Sequence, residues 1–202
     1  MVEVGPGAAR VATPTDERLV ERVQRGDRKA FDLLVGRYQH RIQALVARYL
    51  RDPDDVQDVT QDAFVKAYRA LPRFRAESQF YTWLYRIAIN TAKNHLVARS
   101  RRPPSSDVEV EDAEHYAGGE ALREIDTPEN QLAGEQLRKV VFEAIDALPE
   151  DLRTALSLRE FDGLSYEDIA TVMECPVGTV RSRIFRAREA VDARIRPLLD
   201  GE

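Results

Sequence analysis

An acidic run near the middle of this 202-residue chain limits its folding more than any other feature. Between Pro103 and Glu135 stand ten acids (Asp107, Glu109, Glu111, Asp112, Glu114, Glu120, Glu124, Asp126, Glu129 and Glu135) against a single base, Arg123. Pro103-Pro104-Ser105-Ser106 opens the run and Gly118-Gly119 interrupts it. Such a stretch buries too little apolar surface to offset the entropy of ordering it. Unstructured loops of that length are also uncommon inside a compact domain. Residues 103–128 therefore read as a flexible acidic linker between two small blocks, 16–102 and 129–199, behind a disordered N-terminal tail, 1–15. The alternative is one long loop within a single domain. The run also changes the meaning of the net charge. The whole chain carries a formal −5, which argues against a nucleic-acid partner, but the acidic segment alone carries −9 and leaves +4 for the rest.

Both blocks read as all-α. Leu19, Val20 and Val23 begin a stripe that Gly26-Asp27 breaks. Ala30, Phe31, Leu34, Val35, Tyr38, Ile42, Leu45, Val46 and Tyr49 resume it in steps of three and four. Asp52-Pro53 supplies a capping oxygen and then a ring that needs no N–H, the chemistry of a helix start. Val56, Val59, Ala63, Ala67 and Leu71 follow, up to Pro72. A third helix is expected from about Ser78, with Leu84, Ile87, Ala88, Thr91, Ala92 and His95 as its apolar face. In the second block, Leu132 to Leu148 and Leu152 to Leu158 form two stripes. Ser165-Tyr166-Glu167-Asp168 resembles a capping box. The last long helix runs from Val177 to about Ile195. No β alternation of useful length is present. The N-terminus has no apolar signal region, and no apolar run approaches a membrane span. Together with a lone cysteine, Cys175, these point to a reduced cytoplasmic protein.

Three surfaces carry chemistry. The first is residues 165–188, two helices joined by a short turn, the geometry of a helix-turn-helix. Val180, Ile184, Ala187 and Val191 share one stripe of the second helix, which points Arg181, Ser182, Phe185 and Arg186 the other way. Arginine grips guanine edges in a major groove, and Ser and Phe suit bases or a thymine methyl. Arg183 and Arg188 flank this face, where phosphate contact is the natural role. The second surface is Arg73–Arg102, with seven bases, Arg86 and Lys93 among them, one acid (Glu77), and Phe74, Phe80, Tyr81, Trp83 and Tyr85. Cations beside flat rings suit single-stranded nucleic acid; a core of aromatics under solvated charges gives the same pattern, and Phe80 and Trp83 are the expected core members. The third is Asp52, Asp54, Asp55, Asp58 and Asp62. The first three suit a helix N-terminus. Asp58 and Asp62 repel at i, i+4 and do nothing for the helix, so with Gln61 they form either a solvated ridge or a site for a basic protein.

Nothing points to catalysis. His40, His95 and His115 lack triad or metal-ligand company, and there is neither a P-loop nor a GxGxxG fingerprint. No cofactor, metal or small-molecule substrate is expected, and Cys175 reads as turn filler beside Pro176.

Asp58-Val59-Thr60-Gln61-Asp62-Ala63-Phe64, Phe80-Tyr81-Thr82-Trp83-Leu84-Tyr85-Arg86-Ile87-Ala88-Ile89-Asn90 and Gly178-Thr179-Val180-Arg181-Ser182-Arg183 resemble the extracytoplasmic-function group of bacterial RNA polymerase sigma factors, its envelope-stress members in particular. The resemblance covers roughly Asp16 to Leu199. It implies a sigma region-two domain, a linker and a region-four domain. It implies that the helix bearing Asp55, Asp58, Gln61 and Asp62 docks on core RNA polymerase, whose clamp coiled coil and flap are the contacted parts. It implies that the segment Phe74 to Asn90 melts and reads the promoter minus-ten element, with Lys66, Phe74 and Asn90 at the matching positions, and that Arg181, Ser182, Phe185 and Arg186 read the minus-thirty-five element. The partners it implies are core polymerase, promoter DNA and a membrane-anchored anti-sigma factor that holds the protein at the inner membrane. Two departures stand out: residues 1–15 have no counterpart, and Glu174-Cys175 occupies a turn where many such motifs have glycine. The other functional class is a free-standing helix-turn-helix transcriptional regulator, which needs neither the acidic ridge nor the basic aromatic helix. With a long tether and no extra domain, both working surfaces are expected to stand open in the free protein.

Overall fold

A computed structural model describes residues 13–100 and 128–199. Along the chain they form α1 (Asp16–Gln24), α2 (Arg28–Ala47), α3 (Pro53–Ala70), a single 3-10 turn (Leu71–Arg73), α4 (Phe80–Ser100), α5 (Pro128–Asp146), α6 (Glu150–Glu160), α7 (Tyr166–Met173) and α8 (Val177–Leu199). There is no β-strand among the described residues. The expected linker falls almost wholly on residues outside those described.

Local chemistry sets the helix boundaries. Asp27 accepts from the Ala30 amide at 3.3 Å and so starts α2. Asp52 accepts from the Asp54 amide at 2.9 Å, with Pro53 in the first turn of α3. Ser165 accepts from the Asp168 amide at 3.0 Å and starts α7. Each satisfies a helix-end donor that has no partner within the helix. Gly26, at φ 94°, turns the chain from α1 into α2. The expected tail ends earlier than the sequence suggested. Thr15 caps α1, and the Pro14 carbonyl accepts from Arg37 at 2.8 Å, so residues 14–15 belong to the first bundle. The third helix begins at Phe80 rather than near Ser78.

Helices α1 to α4 enclose Leu19, Leu34, Ile42, Leu45, Val46, Leu71 and Leu84, all essentially without solvent contact. Each such side chain contributes roughly 1.5–3 kcal/mol through burial. In the second block, Ile145, Leu148, Leu156 and Ala187 join α5, α6 and α8. Its other apolar residues, Leu158, Leu164, Ile169, Val180 and Ile184, continue into the core of the first block.

That continuity corrects one expectation. The acidic ridge of α3 and the exposed face of α8 are open, but the two blocks are not free of one another, because the second packs on the first and covers one side of α4. The cause lies in α4. Of its expected apolar face, Leu84, Ala88, Thr91 and Ala92 are buried and Ile87 and His95 only half-buried, whereas Thr82, Tyr85 and Ile89, outside that face, are buried as well. The first bundle covers one side and α7 lies against the other. A single-period reading finds one apolar face and has no means of locating a second that a separate block covers.

The turn between α7 and α8 carries the sequence departure noted above. Glu174 sits in the left-handed region, φ 52° and ψ 45°, where a side chain costs roughly 1 kcal/mol and glycine costs little. Glu174→Gly is therefore expected to stabilise the chain by about 0.5–1 kcal/mol after the added flexibility of the unfolded state is counted. The expected Tm increase is about 2 °C, measured by circular dichroism at 222 nm.

Candidate nucleic-acid interface

The acidic ridge lies along α3. Asp58, Gln61 and Asp62 are exposed and make no hydrogen bond or ion pair with any described residue. Asp55 differs from them: it is half-buried and pairs with Arg99 and with His95 Nε2 at 3.2 Å, both from α4. The sequence grouped these four residues. The structure makes Asp55 a brace between α3 and α4 and leaves the other three unengaged.

The basic aromatic stretch divides as its chemistry requires. Phe80 and Trp83 are core, 4% and 9% exposed. Phe74 is half-buried with its ring 4.9 Å from Trp83. Its carbonyl accepts from Gln24 at 2.9 Å, which pins the loop into α4. Lys66 reaches across from α3 and donates to Thr91 Oγ1 at 3.3 Å. Asn90, the neighbouring residue, is exposed. Phe74 packs at the start of α4, and Asn90 stands seven residues beyond Trp83, about 10 Å along the helix at 1.5 Å per residue. Phe74 and Asn90 thus lie along one helix about two turns apart, and Lys66 of α3 reaches the Asn90 end.

The remaining side of α4 meets the second block through polar contacts. Asp168 Oδ1 accepts from Thr82 at 2.9 Å, and its Oδ2 accepts from Tyr81 at 3.0 Å. Burial raises the Asp168 pKa, but hydrogen bonds from Ser165, Thr82 and Tyr81 outweigh it and hold the carboxyl below its ordinary value. Asp162 accepts from Arg48 at 2.6 Å and from Tyr85 at 3.2 Å. The Arg48–Asp162 pair is well buried, with side chains 13% and 6% exposed. Burial, then the nearby Asp162 charge, pushes the Tyr85 hydroxyl far above its usual pKa. Tyr49 and Thr154 share a hydrogen bond of 2.8 Å, and burial raises Tyr49 to about 12. Lys93 pairs with Glu150 at 2.8 Å and Arg86 with Glu174 at 3.7 Å. Between these contacts lies a cavity of about 290 Å³, lined by Ile89, Asn90, Lys93, Met173, Cys175 and Arg183 among others.

Sequence reasoning missed Arg48, Tyr49, Thr154, Asp162 and Asp168 as a group. The sequence Phe161-Asp162-Gly163 reads as a turn, and Asp168 as part of a capping box. Both roles hold, and nothing in the sequence signals their second partners.

On α8 the faces separate as the sequence suggested. Val180, Ile184 and Ala187 are buried, whereas Arg181, Ser182, Phe185 and Arg186 are exposed, Phe185 at 62%. Arg181 lies over the Tyr166 ring at 5.9 Å, and Ser182 donates to the Thr179 carbonyl at 2.9 Å. The two flanking arginines are committed inside the block. Arg183 bonds Asp151 of α6 and Cys175 Sγ, the latter at 3.4 Å. Arg188 bonds Glu160 at 2.6 Å, which raises its pKa further. They brace α8 against α6 and leave Arg181, Ser182, Phe185 and Arg186 exposed.

Residues 34–102 match the family described as Sigma-70 region 2, and residues 138–191 match Sigma-70, region 4. The chain is 66% identical to RNA polymerase sigma-H factor of Pseudomonas aeruginosa over 91% of its own length and 95% of that protein. It is 64% identical to ECF RNA polymerase sigma-E factor of Escherichia coli, over 92% and 96% of the two chains. Its fold is similar to that of CnrH, solved in complex with the cytosolic domain of CnrY: TM-score 0.62, 26% identity, covering 93% of this chain and 98% of that one. The fold and these two matched regions define a promoter-specificity subunit of bacterial RNA polymerase, and the chain belongs to the extracytoplasmic-function group of sigma factors. The free-standing regulator falls away, because such a protein has no use for a region two.

The different engagement of the α8 arginines is measurable. Arg183→Ala is expected to lower stability by about 1 kcal/mol, through lost stem packing and a lost anchor to α6. Arg186→Ala is expected to leave Tm unchanged and to weaken binding to a cognate duplex by about 1–3 kcal/mol if it grips a base. Thermal melts and duplex binding on cognate and scrambled sites separate the two.

Proposed function

We propose that this sigma factor binds core RNA polymerase through Asp58, Gln61 and Asp62 of α3, with Asp55 bracing the ridge from behind; the clamp coiled coil of the largest subunit and the flap are the polymerase parts engaged. Region two opens the minus-ten element and reads one unpaired base. Phe74 offers a wall, Asn90 an amide, and Lys66, Arg86 and Lys93 positive charge for the strand. Flipping a base out of a duplex costs a few kcal/mol, which stacking and edge contacts offset. Region four reads the minus-thirty-five element through Arg181, Ser182, Phe185 and Arg186, with Arg183 and Arg188 holding the helix that carries them. The protein acts by binding and carries out no chemical step itself.

The observation that carries this reading is the exposed set Arg181, Ser182, Phe185 and Arg186 on α8. A bare phenylalanine between arginines has no value for folding and suits a base-reading face. Among the described residues no helix is long and apolar enough to cross a membrane. The proposed location is the cytoplasm, and the proposed inhibitor is a membrane-anchored anti-sigma factor with a cytosolic domain, in keeping with the CnrH complex with the cytosolic domain of CnrY. The genes served are those answering extracytoplasmic stress, in keeping with the identity to sigma-E factors.

The test adds the purified chain to core polymerase and a randomised promoter library, then sequences the templates transcribed. A defined pair of elements is expected, and a transcript pattern no different from core polymerase alone would sink the reading. Within it, Asp58→Lys with Asp62→Lys is expected to weaken core binding at least about tenfold, a loss of roughly 1.4 kcal/mol, while leaving Tm nearly unchanged. Asn90→Ala is expected to slow open-complex formation, followed by permanganate reactivity of the melted strand, more than it reduces polymerase recruitment.

A further inference from the structure

One side chain of α1 holds the loop that leads into α4. The Gln24 side-chain amide donates to two carbonyls at once, Leu71 at 3.1 Å and Phe74 at 2.9 Å. These are the first and last carbonyls of the turn that the Phe74 amide closes on Leu71 at 3.0 Å. Two acceptors fix which end of the side-chain amide faces them, since only its nitrogen donates. The Phe74 ring is held independently, 4.9 Å from Trp83 and 6.4 Å from Phe80. Past this clamp the backbone is strained. Ala76 sits at φ 56°, a left-handed conformation that is costly for a residue with a Cβ and lasts only where its surroundings hold it. At the far end, the Trp83 amide donates to the Gln79 carbonyl at 3.2 Å as α4 begins. Arg73, Arg75, Ala76, Glu77 and Gln79 are exposed along the segment, so its shape is set at its ends rather than by burial along it.

We infer that Gln24 is a positioning residue that sets the choice of the unpaired minus-ten base: it acts on that base only through the loop, by fixing where Phe74 and the strained residues after it stand. This role rests on the function proposed above, in which Phe74 is a wall for the base, and adds what makes the wall selective. A base site discriminates when its groups are placed so that a wrong base leaves some of them unpaired. A loop free to shift re-forms around other bases and loses that penalty. Losing the preorganisation also weakens the correct base, because the loop must then be ordered at the moment of binding. Gln24 lies ahead of residues 34–102, the part that matches the region 2 family, so the selectivity draws on a helix outside that match.

The experiment uses the full-length chain. Gln24→Met keeps the length of the side chain without a donor, and Gln24→Lys keeps donors on a side chain one bond longer. Gln24 is exposed, so neither change touches the core. Gln43→Met, at an exposed position of α2, is the control. Hydrogen exchange followed by mass spectrometry reads the amides of residues 75–79 with no DNA present. The strand probes are four fluorescein-labelled non-template strands of the minus-ten element recovered from the promoter library, differing only at the base whose replacement weakens wild type most. Binding to a labelled minus-thirty-five duplex and to core polymerase serves as the pair of readouts that a change confined to the loop leaves alone.

Gln24→Met is expected to speed exchange at residues 75–79 and to weaken the preferred strand about fivefold, the size of one lost hydrogen bond. The other three strands are expected to bind as they do to wild type, so selectivity falls by the same factor. Gln24→Lys is expected to restore the selectivity, with duplex binding, core binding and the Gln43→Met control at wild type. Unchanged exchange would show that the loop is held without Gln24 and overturn this role. Faster exchange with unchanged selectivity would also overturn it, by showing that the loop does not choose the base. Equal weakening on all four strands, or a loss on the duplex, would overturn it by making Gln24 a purely structural residue. Selectivity lost in Gln24→Lys as in Gln24→Met would overturn the donor as its cause. Failure of the underlying function appears separately, as the absence of any selected promoter with wild type. The choice of base then falls with that function, and the exchange measurement alone decides whether Gln24 holds the loop.

Discussion

Asp162 and its partners tie the second block to the first. A carboxylate with its side chain 6% exposed loses most of its hydration, and burying a charge is tolerated only where hydrogen bonds replace the water. Arg48 from the end of α2 and Tyr85 from α4 supply those bonds. Arg48 also lies over the Phe161 ring at 5.1 Å. An apolar contact between two small domains can slide. A buried carboxylate that needs both a guanidinium and a phenol fixes how region four sits on region two. The second anchor, Asp168 on Tyr81 and Thr82, fixes the rotation of α7 about that point. The cost of removing Asp162 depends on what the blocks do next: if they stay packed, Arg48 is left as a buried charge without its partner, and if they part, water takes it up. The contact is therefore suited to being broken as a unit.

The same economy shapes the helix-turn-helix. An arginine-rich helix packed on a small domain can spend its arginines on holding the helix in place or leave them exposed, and the arginines of α8 divide between the two. Arg183 and Arg188 are drawn down by Asp151 and Glu160 of α6, and Arg181 and Arg186 are exposed. The left-handed Glu174 at the turn sits at the same boundary, and its carboxylate reaches Arg86 of region two. A glycine would suit the backbone better, but it would leave Arg86 without that acid.

Much of the fold was legible in the residues. Asp52-Pro53, Gly26-Asp27 and Ser165 to Asp168 each mark a boundary through chemistry confined to a few neighbouring atoms, and the structure places helix ends there. The two faces of α8 followed from helical spacing, because a small domain buries one stripe and leaves the rest. Phe80 and Trp83 were legible as core because a bundle of that size needs large apolar side chains at its centre.

Short-range chemistry and periodicity are properties of the sequence, and they determined the helices, their ends and the exposure of Arg181, Ser182, Phe185 and Arg186. They did not determine what covers the second side of α4. Arg48 and Asp162 lie 114 residues apart, and Thr82 and Asp168 lie 86 apart. No local pattern ties an ordinary turn aspartate to an arginine at that distance. Only the packing of one block on the other decides that Asp162 is buried, that Asp168 is a partner as well as a cap, and that a second side of α4 is covered. The reason is that desolvation and hydrogen bonding across a domain contact depend on which surfaces meet, and that information exists only once the chain is folded.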